Sequence, residues 1–299
     1  MSDIQKTVLA LTENHFNNYP YIPVRERRLP SPESMSEAID CLRSVIFPGY
    51  YGNPLVNEDS LVYHTGIGLE KVFHLLSQQI YDAMQFQPDS KDSDAPKLRE
   101  KAKKLTYQFL NTLPKIKRLM SSDVKAVFNN DPAARSYGEV IFCYPAIKAV
   151  TNYRIAHELY TLKVPLIPRI ITELAHAETG IDIHPGAQIG EYFGIDHGTG
   201  IVIGQTAIIG NHVTLYQGVT LGARNFVYNS EGHPVDLPRH PILEDYVTVF
   251  SNSSILGRIT IGAKTVIGGN IWLTHSVPPN SRILQTKAVR FDLTDGAGI

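Results

Sequence analysis

Cysteine is nearly missing from this chain. Cys41 and Cys143 are the only two in 299 residues, too few and too far apart for a disulfide framework or for the paired spacing of a zinc site. Neither charge is in surplus: 28 Lys and Arg stand against 29 Asp and Glu, a formal net of −1, which argues against general nucleic-acid binding. The lysines between Lys91 and Lys125 are interleaved with apolar residues at helical spacing and read as a solvated helix face. No window approaches the roughly 20 apolar residues of a membrane span, and the first residues lack the apolar core of a signal peptide. Together these absences lead us to expect a reduced, cytoplasmic protein that binds neither nucleic acid nor membrane.

What the chain does have is a period of six. Ile183, Ile189, Ile195, Ile201, Ala207, Val213 and Val219 follow at that spacing, and Val247, Ser253, Ile259, Thr265, Ile271, Val277 and Ile283 resume it. Two residues further on, a second aliphatic series runs through Ile203, Ile209, Leu215 and Leu221, then Val249, Ile255, Ile261, Ile267 and Leu273. Neither the helical period nor strand alternation makes this pattern. A parallel β-helix of hexapeptide repeats does, three hexads to a triangular coil of about 18 residues. Gly190, Gly204, Gly210, Gly257, Gly262 and Gly268 fall where corners are expected to bend. The polar interruption at 222–241 reads as an excursion loop, and such loops commonly carry function.

Before residue 180 the spacing turns helical. Ile4, Val8, Leu9 and Leu11 make a short amphipathic segment. Ser34 and Glu37 have the spacing of a capping box ahead of a helix that stops at Pro48. Further helices are expected over 61–86, 97–113, 116–128, from Asp131-Pro132, over 144–162 and over 165–177. The expected architecture is α+β: an all-helical oligomerisation domain at 1–179, a parallel β-helix catalytic domain at 180–285 carrying the 222–241 loop, and a flexible tail at 286–299. Open β-helix ends expose strand edges, so helical capping and cyclic self-association are expected, as a trimer or a dimer of trimers.

Two polar clusters interrupt the aliphatic background: Asp182 and His184 with Asp196 and His197, and Arg239 with His240 at the end of the loop. Asp182 and His197 are fifteen residues apart, close to one coil, and a carboxylate beside an imidazole suits a general base near neutral pH. Alternatively, the aspartates satisfy turn backbone groups and the histidines are surface corners. Spacing leaves both readings open, and for His184 the corner reading is favoured.

The strings Asp182-Ile183-His184-Pro185, Asp196-His197-Gly198-Thr199-Gly200, Gln217-Gly218-Val219-Thr220 and Arg239-His240-Pro241 resemble those of serine O-acetyltransferases, over roughly residues 131–277. The resemblance implies a helical first domain, a left-handed β-helix, and acetyl transfer from acetyl-CoA to the hydroxyl of L-serine in cysteine biosynthesis. Carried over, His197 takes the serine hydroxyl proton, Asp182 orients it, and His240 assists from across a cleft. Arg239 binds the serine carboxylate, while Asp131, Asp196 and Gln205 contact the amino acid. Asp131 has a plainer reading as a helix N-cap before Pro132. Gly222, Ala223, Ser251 and Gly269 are the candidate acetyl-CoA contacts. A thioester is already activated, so no metal is expected; with no cysteine in the repeats, direct attack is expected over a thiol acyl-enzyme.

Where many members have Gly-Glu-Thr, this chain has Gly204-Gln205-Thr206, and Phe250-Ser251-Asn252-Ser253 and Val266 also depart from the family. The resemblance further implies feedback inhibition by L-cysteine. It also suggests docking of O-acetylserine sulfhydrylase on a tail that ends in Ile299, which otherwise reads as a frayed terminus. The alternatives are an O-acetyltransferase for homoserine or a sugar, a γ-class carbonic anhydrase, for which the histidine spacing is wrong, and a non-catalytic scaffold.

Overall fold

A computed structural model describes residues 2–13, 28–86, 95–225, 227–233, 235 and 237–286. Phe226 and the tail at 287–299 lie outside the described residues, as does most of the proline-containing stretch before Pro32. Eight helices are described: α1 (Asp3–Thr12), α2 (Pro32–Ile46), α3 (Glu58–Phe86), α4 (Ala95–Leu110), α5 (Leu113–Asn130), α6 (Tyr137–Cys143), α7 (Pro145–Thr161) and α8 (Ile167–Thr179). No helix among the described residues is long and apolar enough to cross a membrane.

Two helix starts differ from expectation. Ser31, not Ser34, caps α2: its hydroxyl accepts the Ser34 N–H, and Pro32 takes the first helical position, where a missing N–H costs nothing. Asp131-Pro132 opens no helix. Asp131 is the C-terminal cap of α5, a turn follows, and α6 starts beyond Ser136, whose hydroxyl accepts the Glu139 N–H.

From Asp182 the chain winds into a parallel β-solenoid with three faces. The first face orders β1 (Asp182–Ile183), β4 (Val202–Ile203), β7 (Thr220–Gly222), β10 (Ser254–Leu256) and β13 (Trp272–Leu273). The second holds β2 (Gln188–Ile189), β5 (Ile208–Ile209), β8 (Ile242–Leu243) and β11 (Thr260–Ile261). The third holds β3 (Gly194–Asp196), β6 (Thr214–Tyr216), β9 (Thr248–Val249), β12 (Val266–Ile267) and β14 (Arg282–Ile283). Pairing every third strand is what the hexad demands. On the first face Ile183, Ile203, Leu221, Ile255 and Leu273 stack inward, none more than 3% exposed, each burial stabilising by about 1.5–3 kcal/mol.

The first coil departs from the 18-residue expectation. Asp182 pairs with Val202, Gln188 with Ile208 and Gly194 with Thr214, steps of 20 residues, whereas Val202 to Thr220 and Ile242 to Thr260 are steps of 18. The two extra residues enter at the corner after β3, where His197, Gly198 and Gly200 are all left-handed.

The glycines serve the corners for another reason than tight bending. Of the six expected at bends, only Gly257 has positive φ. Others admit a neighbouring coil: a Cβ on Gly262 would fall 2.3 Å from Pro279 N. Several left-handed corner positions are instead filled by Tyr192, His212 and Tyr246, with φ of 56°, 57° and 62°. Their rings stack at 4.4 and 4.6 Å between centroids, which offsets a strain of about 1–2 kcal/mol per residue.

The helices close the solenoid's open end. Tyr153 Oη donates to the Ala187 carbonyl at 2.7 Å, and Arg154 donates to those of Ile189 and Gly190 at 2.7 and 2.6 Å. Asp123 accepts the Phe193 N–H at 3.0 Å and two Arg154 hydrogen bonds at 3.1 Å, and Ser122 accepts the Tyr192 N–H. The edge that would otherwise recruit another strand is thereby satisfied by side chains of α5 and α7.

Candidate active site

His197 sits on the bulged corner between the third and first faces. Its side chain is 74% exposed, and its Nε2 is 3.9 Å from Asp196 Oδ1, beyond hydrogen-bond range. The end of α5 leans on this corner through Asn130 Nδ2, which donates to Thr214 Oγ1 at 2.8 Å. Asp131 and Asp196 thereby line one shallow recess with Gly194 and Thr214. Asp131 is held in place: Oδ1 accepts the Ala133 N–H at 2.8 Å and Oδ2 accepts the Tyr144 hydroxyl at 2.5 Å. The Tyr144 bond, then the Ala133 bond, hold Asp131 below the usual carboxylate range, with the nearby His197 adding to the effect. The same bond, viewed from the phenol, pushes Tyr144 up to about 12.

Asp182 does not brace His197 in the single chain. Among the described residues, the one carboxylate within 4.0 Å of the His197 ring is that of Asp196. The Asp182 carboxylate lies instead within 4.8 Å of those of Glu173 and the His176 ring, on α8. His184 is a corner residue: its Nδ1 accepts the Gly186 N–H at 3.0 Å, and its ring meets that of Tyr160 edge-on.

His240 is built the opposite way, at the corner between the first and second faces. It is 7% exposed, and burial, followed by the charges of Arg239 and Arg258, lowers its pKa to about 4. Its Nδ1 accepts the Thr206 backbone N–H at 3.1 Å. Arg239 Nη2 donates to Gln205 Oε1 at 2.7 Å, a neutral amide that helps to orient the guanidinium. Beneath the long loop runs a groove of about 310 Å³ lined by Arg224, Arg239 and Arg258 with Val227, Leu256 and Ile259. A groove of about 670 Å³, between α7 and the second face, holds neither His197 nor His240.

The candidate acetyl-CoA residues divide between the two corners. Gly222 ends β7 and Ala223 follows it, on the His240 side; Ser251 and Gly269 stack on the His197 side, where Ser251 O accepts the Asn270 N–H at 2.8 Å. The first face separates the corners, and at the strand rise its chain covers roughly 13 Å from Gly200 to Gly204. Sequence reasoning missed Tyr144, Thr206 and Arg258, whose partners are far away in the chain.

A helical cap on a hexapeptide-repeat solenoid, with imidazoles, carboxylates and arginines gathered at two corners, defines a hexapeptide-repeat acyltransferase. The comparisons narrow this class. The chain is 46% identical over 275 residues, 91% of its own length and 86% of the relative's, to a plasmid-encoded serine acetyltransferase of Synechococcus elongatus. It superimposes with a TM-score of 0.71 and 32% identity on Entamoeba histolytica serine acetyltransferase 1 in complex with L-cysteine, covering 94% of this chain and 97% of that one. The serine complex of the Neisseria gonorrhoeae serine acetyltransferase aligns at 25% identity and a TM-score of 0.54, over 85% of this chain and 97% of the other. No protein-family model matches the chain. The chain belongs to the serine acetyltransferase family.

Proposed function

We infer that the protein transfers the acetyl group of acetyl-CoA to the hydroxyl of L-serine, giving O-acetylserine and CoA. The observation that carries this reading is the His197 corner, where an exposed imidazole stands beside two carboxylates, in a chain of this family. Asp131 and Asp196 suit the ammonium group of an amino acid. Arg239 suits its carboxylate through a planar fork.

In the proposed reaction the serine hydroxyl attacks the thioester carbonyl while His197 takes the hydroxyl proton, because that hydroxyl does not ionise near neutral pH. The tetrahedral intermediate collapses, the C–S bond breaks, and the proton passes to the departing sulfur. Gly222, Ala223, Ser251 and Gly269 are proposed to line the path of acetyl-CoA, and the arginines of the 310 Å³ groove suit its phosphates. Asp182 is proposed to turn toward His197 when substrate closes the site, since catalytic hydrogen bonds are often long before substrate arrives.

One small substrate cannot bridge two corners roughly 13 Å apart along the first face. The reading therefore requires the His197 corner of one chain to face the His240 corner of another, in a homotrimer or a dimer of trimers. Ile4, Val8, Leu9 and Leu11 of α1, 52–77% exposed, support self-association through the helices. L-Cysteine, a serine isostere, is the proposed feedback inhibitor. The tail ending in Ile299 is the proposed anchor for O-acetylserine sulfhydrylase.

The test is CoA release from acetyl-CoA with L-serine, homoserine and galactosides side by side. L-Serine is expected to be the best acceptor. A preference for homoserine or a sugar would overturn the assignment.

A further inference from the structure

The end of the long loop is tied to the solenoid through one threonine. Thr206, at the corner after β4, offers its hydroxyl oxygen to the backbone N–H of Arg239 at 2.9 Å and of His240 at 3.1 Å. The same hydroxyl lies 2.8 Å from His240 Nδ1, and the Thr206 backbone N–H donates to that nitrogen at 3.1 Å. Arg258 Nη1 secures both strands of this crossing, donating to the carbonyls of Thr206 at 2.7 Å and His240 at 2.9 Å. On the other side, a Cβ on Gly204 would fall 1.9 Å from His240 Cδ2 and 2.1 Å from Nε2, so the ring fits there only because Gly204 has no side chain.

The bookkeeping of protons then leaves one arrangement. Two N–H donors occupy the acceptor positions of the Thr206 oxygen, so that oxygen has no lone pair left to accept a proton from His240 Nδ1. An imidazole nitrogen has a single in-plane lone pair, and one that receives an N–H cannot carry a proton. In the neutral ring the proton is therefore on Nε2. Nε2 has no protein partner among the described residues and is not a buried orphan, so it is reached by solvent.

We propose that Thr206 is the positioning residue of the second imidazole, fixing His240 as the Nε2–H tautomer so that it meets substrate as a neutral hydrogen-bond donor and not as a base. This rests on the acetyl-transfer reading and assigns the two histidines different chemistry: His197 accepts a proton, whereas His240 donates a hydrogen bond to a substrate oxygen. The charged groups facing the ring agree. Arg239 and Arg258 are both cationic, and together with burial they oppose an imidazolium.

The experiment uses the full chain with selectively ¹⁵N-labelled histidine, the His240 signal being assigned by its loss in H240Q. Wild type is expected to show protonated Nε2 and bare Nδ1, unchanged from pH 8 to 5.5. T206S is expected to keep that signature and a kcat within about threefold of wild type. T206V is expected to lose the single-tautomer signature and about 10²-fold in kcat, the scale for one preorganised donor, with a smaller change in KM for L-serine. Protonated Nδ1 in wild type, titration of His240 near 6.5, or a T206V enzyme with wild-type kcat would each overturn the proposal. Should T206V fail to fold, the wild-type signals and T206S still decide. The tautomer is read without substrate, so failure of the acetyl-transfer reading would show separately, as absent turnover of L-serine by wild type.

Discussion

The two corners that carry histidines are opposites. At the His197 corner the solenoid takes in two extra residues, bends through three left-handed positions, and pushes an imidazole into solvent beside Asp131 and Asp196. At the His240 corner the chain returns from the long loop, in a coil of 34 residues from Ile208 to Ile242, the ring is buried against Gly204, and the cations Arg239 and Arg258 flank it. The contrast separates two tasks. A base must be free to take up a proton and is helped by negative neighbours; a fixed donor must stay neutral and is helped by burial and positive ones.

The largest effects should come from removing the rings themselves. H197A is expected to lower kcat by about 10²–10⁴-fold, the usual worth of a general base, with unchanged circular dichroism. H240A should also be nearly inactive. Co-expressed in equal amounts, the two variants sharpen the comparison. If each site joins one chain's His197 corner to the next chain's His240 corner, about a quarter of all sites across randomly assembled trimers are intact, and activity should recover toward that fraction. A mixture as dead as its components would place both histidines in the service of one chain.

Next in size is the carboxylate side of the His197 corner. D131N removes a charge proposed to meet the ammonium of serine, and hydrogen bonds to charged groups are worth about 1.5–3 kcal/mol. The expected outcome is a rise of roughly tenfold to a hundredfold in KM for L-serine, with KM for acetyl-CoA little changed. Y144F keeps the charge but removes its 2.5 Å hydrogen bond, so its rise in KM should be clearly smaller. Equal effects would mean that the Tyr144 hydrogen bond, and not the charge of Asp131, sets the affinity for serine.

Much of this was legible in the sequence, and the failures are physical. The solenoid could be read because a strand-and-turn repeat forces an aliphatic residue inward once per hexad. The two-residue slip in the first coil was hidden because Ile201 and Ile203 are both buried aliphatics: Ile201 keeps the period of six from Ile195, while Ile203, eight residues on, takes the strand position. Asp131 looked like a helix opener because Asp followed by Pro fits a start. In the fold, Tyr144 takes its carboxylate and the chain turns away. Thr206 was invisible for a different reason: its partners Arg239 and His240 lie across the long loop, and no local pattern marks a hydroxyl whose value comes from residues 33 and 34 positions away. Asp182 and His197 belong to a first coil of 20 residues, not 18, and in the single chain the Asp182 carboxylate lies near Glu173 and His176.

The smallest expected effect concerns stability rather than turnover, and its sign follows from the buried ring. Unfolded, His240 titrates near the ordinary 6.5; folded, it does so at about 4. Between those values the unfolded chain binds a proton that the folded chain refuses, so acidification favours unfolding. The stabilisation from a neutral His240 is fully present above about pH 6.5 and is lost as pH falls toward 4, at no more than about 1.4 kcal/mol per pH unit. Denaturant unfolding between pH 7 and 4.5 should thus show a shallower pH slope in H240Q than in wild type. Removing the exposed His197 should leave the slope as it is. If H197Q flattens the profile as much as H240Q does, the two corners do not differ in the way their burial implies.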